Sequence, residues 1–196
     1  MHKGRLEAFS DGVMAIVITI MVLEFKVPHE PTLQALCELG PKFLAYLLSF
    51  VFVGIYWNNH HHMLQAAQKV SGGVLWANLH LLFWLTLVPF ATAWMGESHW
   101  ATFPVAVYGV VLLCAGSAYF ILALLLVADH GPGSVLARAV AVPKKEIVSV
   151  AAYSLAIALA YVDTRLSGFL YASVAALWLV PDRRIERAMA DSHTRG

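Results

Sequence analysis

Charge is what this 196-residue chain has least of: Asp, Glu, Lys and Arg make up 13% of it, against 60% hydrophobic residues. Its mean hydropathy is +0.70. So little polar surface cannot cover a water-soluble globule, which excludes that class and leaves an all-α integral membrane protein as the expected fold. The 13 basic and 12 acidic residues nearly cancel, so there is no basic excess to form a nucleic-acid footprint, and no nucleic-acid partner is expected. Cysteine is nearly absent. Cys37 falls between spans and Cys114 in mid-span, so no disulfide framework is implied and neither has the spacing of a metal site. No Gly-rich phosphate loop and no His-Glu-x-x-His motif occurs, and Gly96-Glu97-Ser98-His99-Trp100 lacks the closing glycine of a nucleophile elbow. With no intramembrane Ser/His/Asp set either, the reading is of a protein that is not an enzyme and needs no cofactor.

What the chain does have is apolar runs, and about 20 residues are needed to cross a bilayer. Runs at 6–25, 42–62, 74–95, 103–127, 146–162 and 165–181 give six expected transmembrane helices in one domain, 1–181, followed by a mixed-charge tail, 182–196. The last two runs are short. They read as a tight hairpin turning at Asp163-Thr164-Arg165, crossing fully in preference to re-entering. The first run is expected to stay in the mature protein, because Glu7 and Asp11 near its start do not fit a signal peptide. Of the 13 Lys and Arg, only Lys26, Lys42 and Arg165 fall outside if the N-terminus is cytoplasmic. That bias places a multi-pass protein in the cell membrane with both termini cytoplasmic. Between the first two spans, Leu33, Leu36 and Leu39 recur at every third position between Pro31 and Pro41, which suggests a short amphipathic helix on the outer surface. Pro89 is expected to bend the third span.

The first span carries the unusual chemistry. At 100° per residue, Gly12, Ile16, Thr19 and Leu23 share roughly a 60° arc, and Asp11 points about 110° from its centre. The stripe is apolar with a single hydroxyl, and a stripe of that kind ordinarily packs on another helix or on lipid. The second span ends in Tyr56-Trp57-Asn58-Asn59-His60-His61-His62. Adjacent helical histidines point about 100° apart and cannot converge on one ion, so no metal site is read there. Depth gives another reading. Arg5, Ser10, Asp11, Trp57, Asn59, His60, His61 and His80 fall in one cytoplasmic-side layer, where buried polar groups must find each other; they are expected to clamp the start of span one to spans two and three. A proton relay through Asp11 and His80 is the sharper alternative.

Arg5, Phe9, Ser10 and Asp11 form an R-x-x-x-F-S-D pattern at the start of the first span. With six runs in a chain of this size, and Asn-His-His at the end of span two, the sequence resembles the endosomal/lysosomal transmembrane potassium channel family and its prokaryotic relatives. The resemblance implies a homotetramer in the lipid bilayer, with span one of each subunit lining a central pore. Counted from the motif aspartate, the pore positions are then Ile16, Thr19 and Leu23, with Ile20 at the rim. The Thr-Val-Gly-Tyr-Gly filter of ordinary potassium channels is missing. The resemblance therefore implies a leak with modest preference for permeant K+ over sodium, set by a hydrophobic constriction that also gates by dewetting. A proton-coupled secondary transporter using Asp11 and His80 is the alternative function, although no midplane carboxylate and no internal repeat supports it. A non-conducting structural membrane protein is the third.

Overall fold

The computed structural model describes residues 3–134, 136–137 and 144–179. The tail at 182–196, and with it Arg183, Arg184, Arg187 and Arg195, lies outside the described residues, as does Arg138. The architecture is all-helical: α1 Lys3–Leu23, α2 Leu33–Cys37, α3 Gly40–Ala66, α4 Gly72–Thr86, α5 Val88–Glu97, α6 Thr102–His130, α7 Lys144–Leu159 and α8 Thr164–Leu179. In an apolar solvent the helix is the element that satisfies its own backbone donors and acceptors, so each apolar run becomes one.

Helix ends follow local chemistry. Ser71 accepts from the Val74 amide and Thr32 from the Ala35 amide, each satisfying a donor in a first helical turn. Gly131 closes α6 at φ 82, a left-handed backbone that glycine adopts without a Cβ penalty, and its amide donates to Val127 O. The third run is interrupted. Pro89 has no amide to donate to Leu85 O, and its ring crowds that carbonyl, so α4 ends at Thr86 and α5 begins at Val88, with Pro89 in the first turn where a missing donor costs nothing.

Four segments among the described residues are long and apolar enough to cross a membrane: Lys3–Leu23, Gly40–Ala66, Gly72–Glu97 counted across the break, and Thr102–His130. The described parts of α7 and α8 have 16 residues each. They rise about 24 Å at 1.5 Å per residue, short of the roughly 30 Å hydrocarbon core. They form an antiparallel pair whose turn runs through Tyr161 and Val162; Asp163 Oδ1 accepts the Arg165 amide at the start of α8. The pair is pinned at both ends, by Ser167 Oγ donating to Ala156 O at 2.7 Å and by Trp178 Nε1 donating to Ser149 Oγ at 2.8 Å. The expected outer helix exists as α2, but Leu33 and Leu36 are exposed and bury nothing within the chain.

Helix α1 packs on α3, α4 and α5, whereas α7 and α8 pack on each other, on α6 and, through α8, on α3. One core threads the bundle, from Met14, Val17 and Met21 of α1 through Leu81 and Leu85 of α4 to Leu112 and Leu122 of α6. Two buried polar ties cross it. Ser49 Oγ meets Thr92 Oγ1 at 2.6 Å and Tyr108 Oη at 2.9 Å. Tyr171 Oη donates to Val105 O at 3.0 Å, which seats its ring against Gly109, a position where a Cβ would collide with it.

Candidate functional site

Helix α1 has two faces. Leu6, Ser10, Met14, Val17 and Met21, spaced four, four, three and four residues apart, are buried against α3, α4 and α5. The opposite face holds Arg5, Phe9, Gly12, Ile16, Thr19, Ile20 and Leu23, all exposed in the single chain, Ile16 at 57% and Leu23 at 77%. Ile16, Thr19 and Leu23 therefore lie together on a free face, with Ile20 on its flank. Ile16 and Leu23 are about 10.5 Å apart along the axis, with Thr19 between them. Thr19 Oγ1 donates back to Ala15 O at 3.1 Å and Ile16 O at 3.0 Å. Its proton is thus directed at the backbone, and the oxygen lone pairs are left to face outward as acceptors.

The buried face is anchored near its N-terminal end. Asn78 of α4 donates through Nδ2 to Ser10 Oγ at 2.9 Å and accepts through Oδ1 from His60 Nε2 of α3 at 2.7 Å. All three side chains are fully enclosed, at 0–1% exposure. Because the Asn78 amide oxygen accepts, the His60 hydrogen is assigned to Nε2. One turn outward, Trp57 Nε1 donates to Asp11 Oδ1 at 3.0 Å. The Lys3 ammonium caps the end of α3, donating to Gln65 O and Ala67 O at 3.1 Å each, where a cation also meets the negative end of the helix dipole.

The structure thus brings together Ser10, Asp11, Trp57 and His60 of the expected clamp and leaves four of its members out. Arg5 is exposed and takes no part in the network within one chain. Asn59 donates to Ile55 O of its own helix. His61 stacks on Trp57 and bonds Gln65, both on its own helix. His80 is exposed and accepts from Trp84 one turn on. Asn78 is the residue the clamp needs and sequence reasoning left out. It shares the depth of His80, but two residues of helix separate them by about 200°, and depth alone does not say which faces the bundle. Among the described residues nothing joins Asp11 to His80, and no three of His, Cys, Asp and Glu stand close enough to hold a metal ion.

The sequence model of the endosomal/lysosomal potassium channel TMEM175 matches residues 5–89, the stretch that holds α1 and its anchor. A crystal structure of a chain described as a lysosomal potassium-selective channel TMEM175 homolog from Chamaesiphon minutus superposes with a TM-score of 0.80 at 30% identity, over 91% of this chain and 96% of that one. The human endosomal/lysosomal proton channel TMEM175 is 37% identical over 83 residues, 36% of this chain and 16% of that protein. A potassium channel of a Chryseobacterium strain, HX13_20290, is 50% identical over 192 residues, 98% of this chain and all of that protein. That likeness leaves no part of the bundle outside it, so this chain belongs to the TMEM175 family of ion channels, a family of membrane proteins and not of enzymes.

Proposed function

We propose that this protein is a potassium channel of the leak type, assembled as a homotetramer in which α1 of each subunit lines a central pore. The observation that carries the reading is the division of α1: one face locked into the bundle, the other uncovered in the single chain and, from Gly12 to Leu23, apolar but for the Thr19 hydroxyl. Its relatives described as potassium channels, among them the full-length bacterial one, support potassium as the permeant ion. Rings of Ile16 and Leu23 force an ion to shed part of its water and return no ligands. Potassium holds its hydration shell less tightly than sodium, so the constriction favours it modestly, and the same rings close the path when they dewet. Thr19, with its lone pairs outward, offers an oxygen between the two rings. Six helices crossing as one domain, 1–181, with the tail and both termini cytoplasmic, complete the proposal; the described α7 and α8 then reach the interface by thinning or flanking residues. The clamp of Ser10, Asp11, Trp57, His60 and Asn78 holds the cytoplasmic end of the pore helix in place.

The test is purified protein in liposomes, with potassium flux compared with sodium flux. Ile16→Asn wets the inner ring, so flux rises and the preference for potassium falls; Leu23→Asn does the same more weakly at the outer mouth. Val17→Asn, on the buried face, harms folding instead. Unchanged flux and selectivity in well-assembled Ile16→Asn and Leu23→Asn protein would remove α1 from the ion path.

A further inference from the structure

On the side of the bundle remote from α1 lies a cavity of about 450 Å³, walled by α3, α6, α7 and α8 and by no residue of α1. Pockets that bury small organic ligands measure about 300–1,000 Å³ and are apolar with a few placed polar groups. Here Phe52, Ile55, Phe120 and Val150 supply the apolar walls. Toward the Lys144 end of α7 the lining turns polar, with Asn59, Glu146, Ser149 and Trp178. Most of those groups are engaged. Ser149 donates to Lys145 O and accepts from Trp178, and the Asn59 amide donates to Ile55 O. Glu146 carries the one formal charge among the lining residues and joins no ion pair among the described residues. The Lys145 ammonium lies over the Trp178 ring, 5.5 Å from its centroid, and Lys145 is not part of the lining.

The geometry points to a binding site for a lipophilic amine, its cationic head against Glu146 and its apolar body between α3 and α6. A carboxylate at the end of an apolar slot attracts a cation and repels an anionic head. Glu146 is the third residue of α7, at the interfacial end of the helix, which is the depth at which an amphiphile keeps its head while its tail points to the midplane. Ile121 and Val150 are exposed lining residues, so the slot opens sideways on the surface of the bundle and a ligand enters from the membrane.

Bromine quenches nearby indole fluorescence, and Trp178 is the tryptophan in the lining. In the intact protein in phosphatidylcholine nanodiscs, a bromoalkylamine is titrated beside the bromoalkanoic acid and the neutral bromoalkanol of the same length. The Trp178 signal is the difference between wild type and Trp178→Phe. Gly116→Leu serves as a second variant: a Cβ at Gly116 would lie 3.5 Å from Tyr56 Oη and 3.8 Å from the Tyr153 ring, so a longer side chain there fills the slot. The amine is expected to quench saturably and several-fold more tightly than the other two probes. Glu146→Gln should erase that preference, and Gly116→Leu should remove the saturable quenching. Equal binding of all three probes, an amine preference that survives Glu146→Gln, or no saturable difference between wild type and Gly116→Leu overturns the proposal. So does quenching by brominated phosphatidylcholine that the amine fails to displace, which would make the slot a seat for a lipid chain.

Discussion

Two side chains of α1 do opposite things with one hydroxyl each. Ser10 gives its oxygen to Asn78 inside the bundle, and Thr19 turns its proton into the backbone and its oxygen outward. Thr19→Val keeps shape and removes the oxygen. If that oxygen steadies an ion between the two rings, losing about 1 kcal/mol of stabilisation lowers single-channel potassium conductance roughly five-fold while assembly stays normal. Asn78→Leu acts on the other face. It leaves Ser10 and His60 without partners in an enclosed site, at a cost of roughly 1–3 kcal/mol. A lower melting temperature in detergent, with the potassium-to-sodium ratio kept in the fraction that assembles, is the expected result. The residues of this anchor show what a sequence reveals and what it hides. Ser10, Asp11 and His60 were legible as a polar layer because depth follows from position along a span. The choice of Asn78 over His80 was not, because it depends on which way α4 is turned, and α4 is apolar nearly all round, with no polar stripe to mark its outer face.

The helices were legible to within a few residues, and four of the apolar runs are long enough to cross a membrane, since an apolar run and a transmembrane helix are nearly the same object. Where the chain departs from that rule, local chemistry decides: Pro89 was readable as a bend, whereas the full break at Leu87 depends on Pro89 being drawn into the first turn of α5. Helix-to-helix distance was the least legible property, because it is set by single small residues whose partner is far off in sequence. Gly109 is such a residue. A methyl group there collides with the Tyr171 hydroxyl, which bonds Val105 O, and crowds Ile157 of α7. Gly109→Ala should therefore push α8 off α6 at a cost of about 1–3 kcal/mol. Hydrogen exchange would report it as faster exchange in α8 and in the turn at Tyr161 and Val162, with α1 unaffected.

For the molecule as a whole, orientation is the prediction that charge makes. A tag inserted between Pro31 and Pro41 should be labelled by an impermeant reagent added to intact cells, and one at either terminus should not. A labelled C-terminus would mean an odd number of crossings and would break the six-helix plan. The same geometry sets how α1, the proposed pore helix, can move. Among the described residues, every polar bond from α1 to its neighbours is made by Lys3, Ser10 or Asp11, in the first half of the helix. Toward Leu23 only apolar contacts remain, such as Met21 in the core and, just beyond the helix, Phe25 edge-on to Tyr46 at 5.4 Å. A rod fixed at one end is a cantilever, and its deflection grows with distance from the fixed end. In the proposed pore, the ring of Leu23 would then widen and narrow more than the ring of Ile16, so a change of bilayer thickness would be felt at the outer ring first, while the inner ring holds its bore.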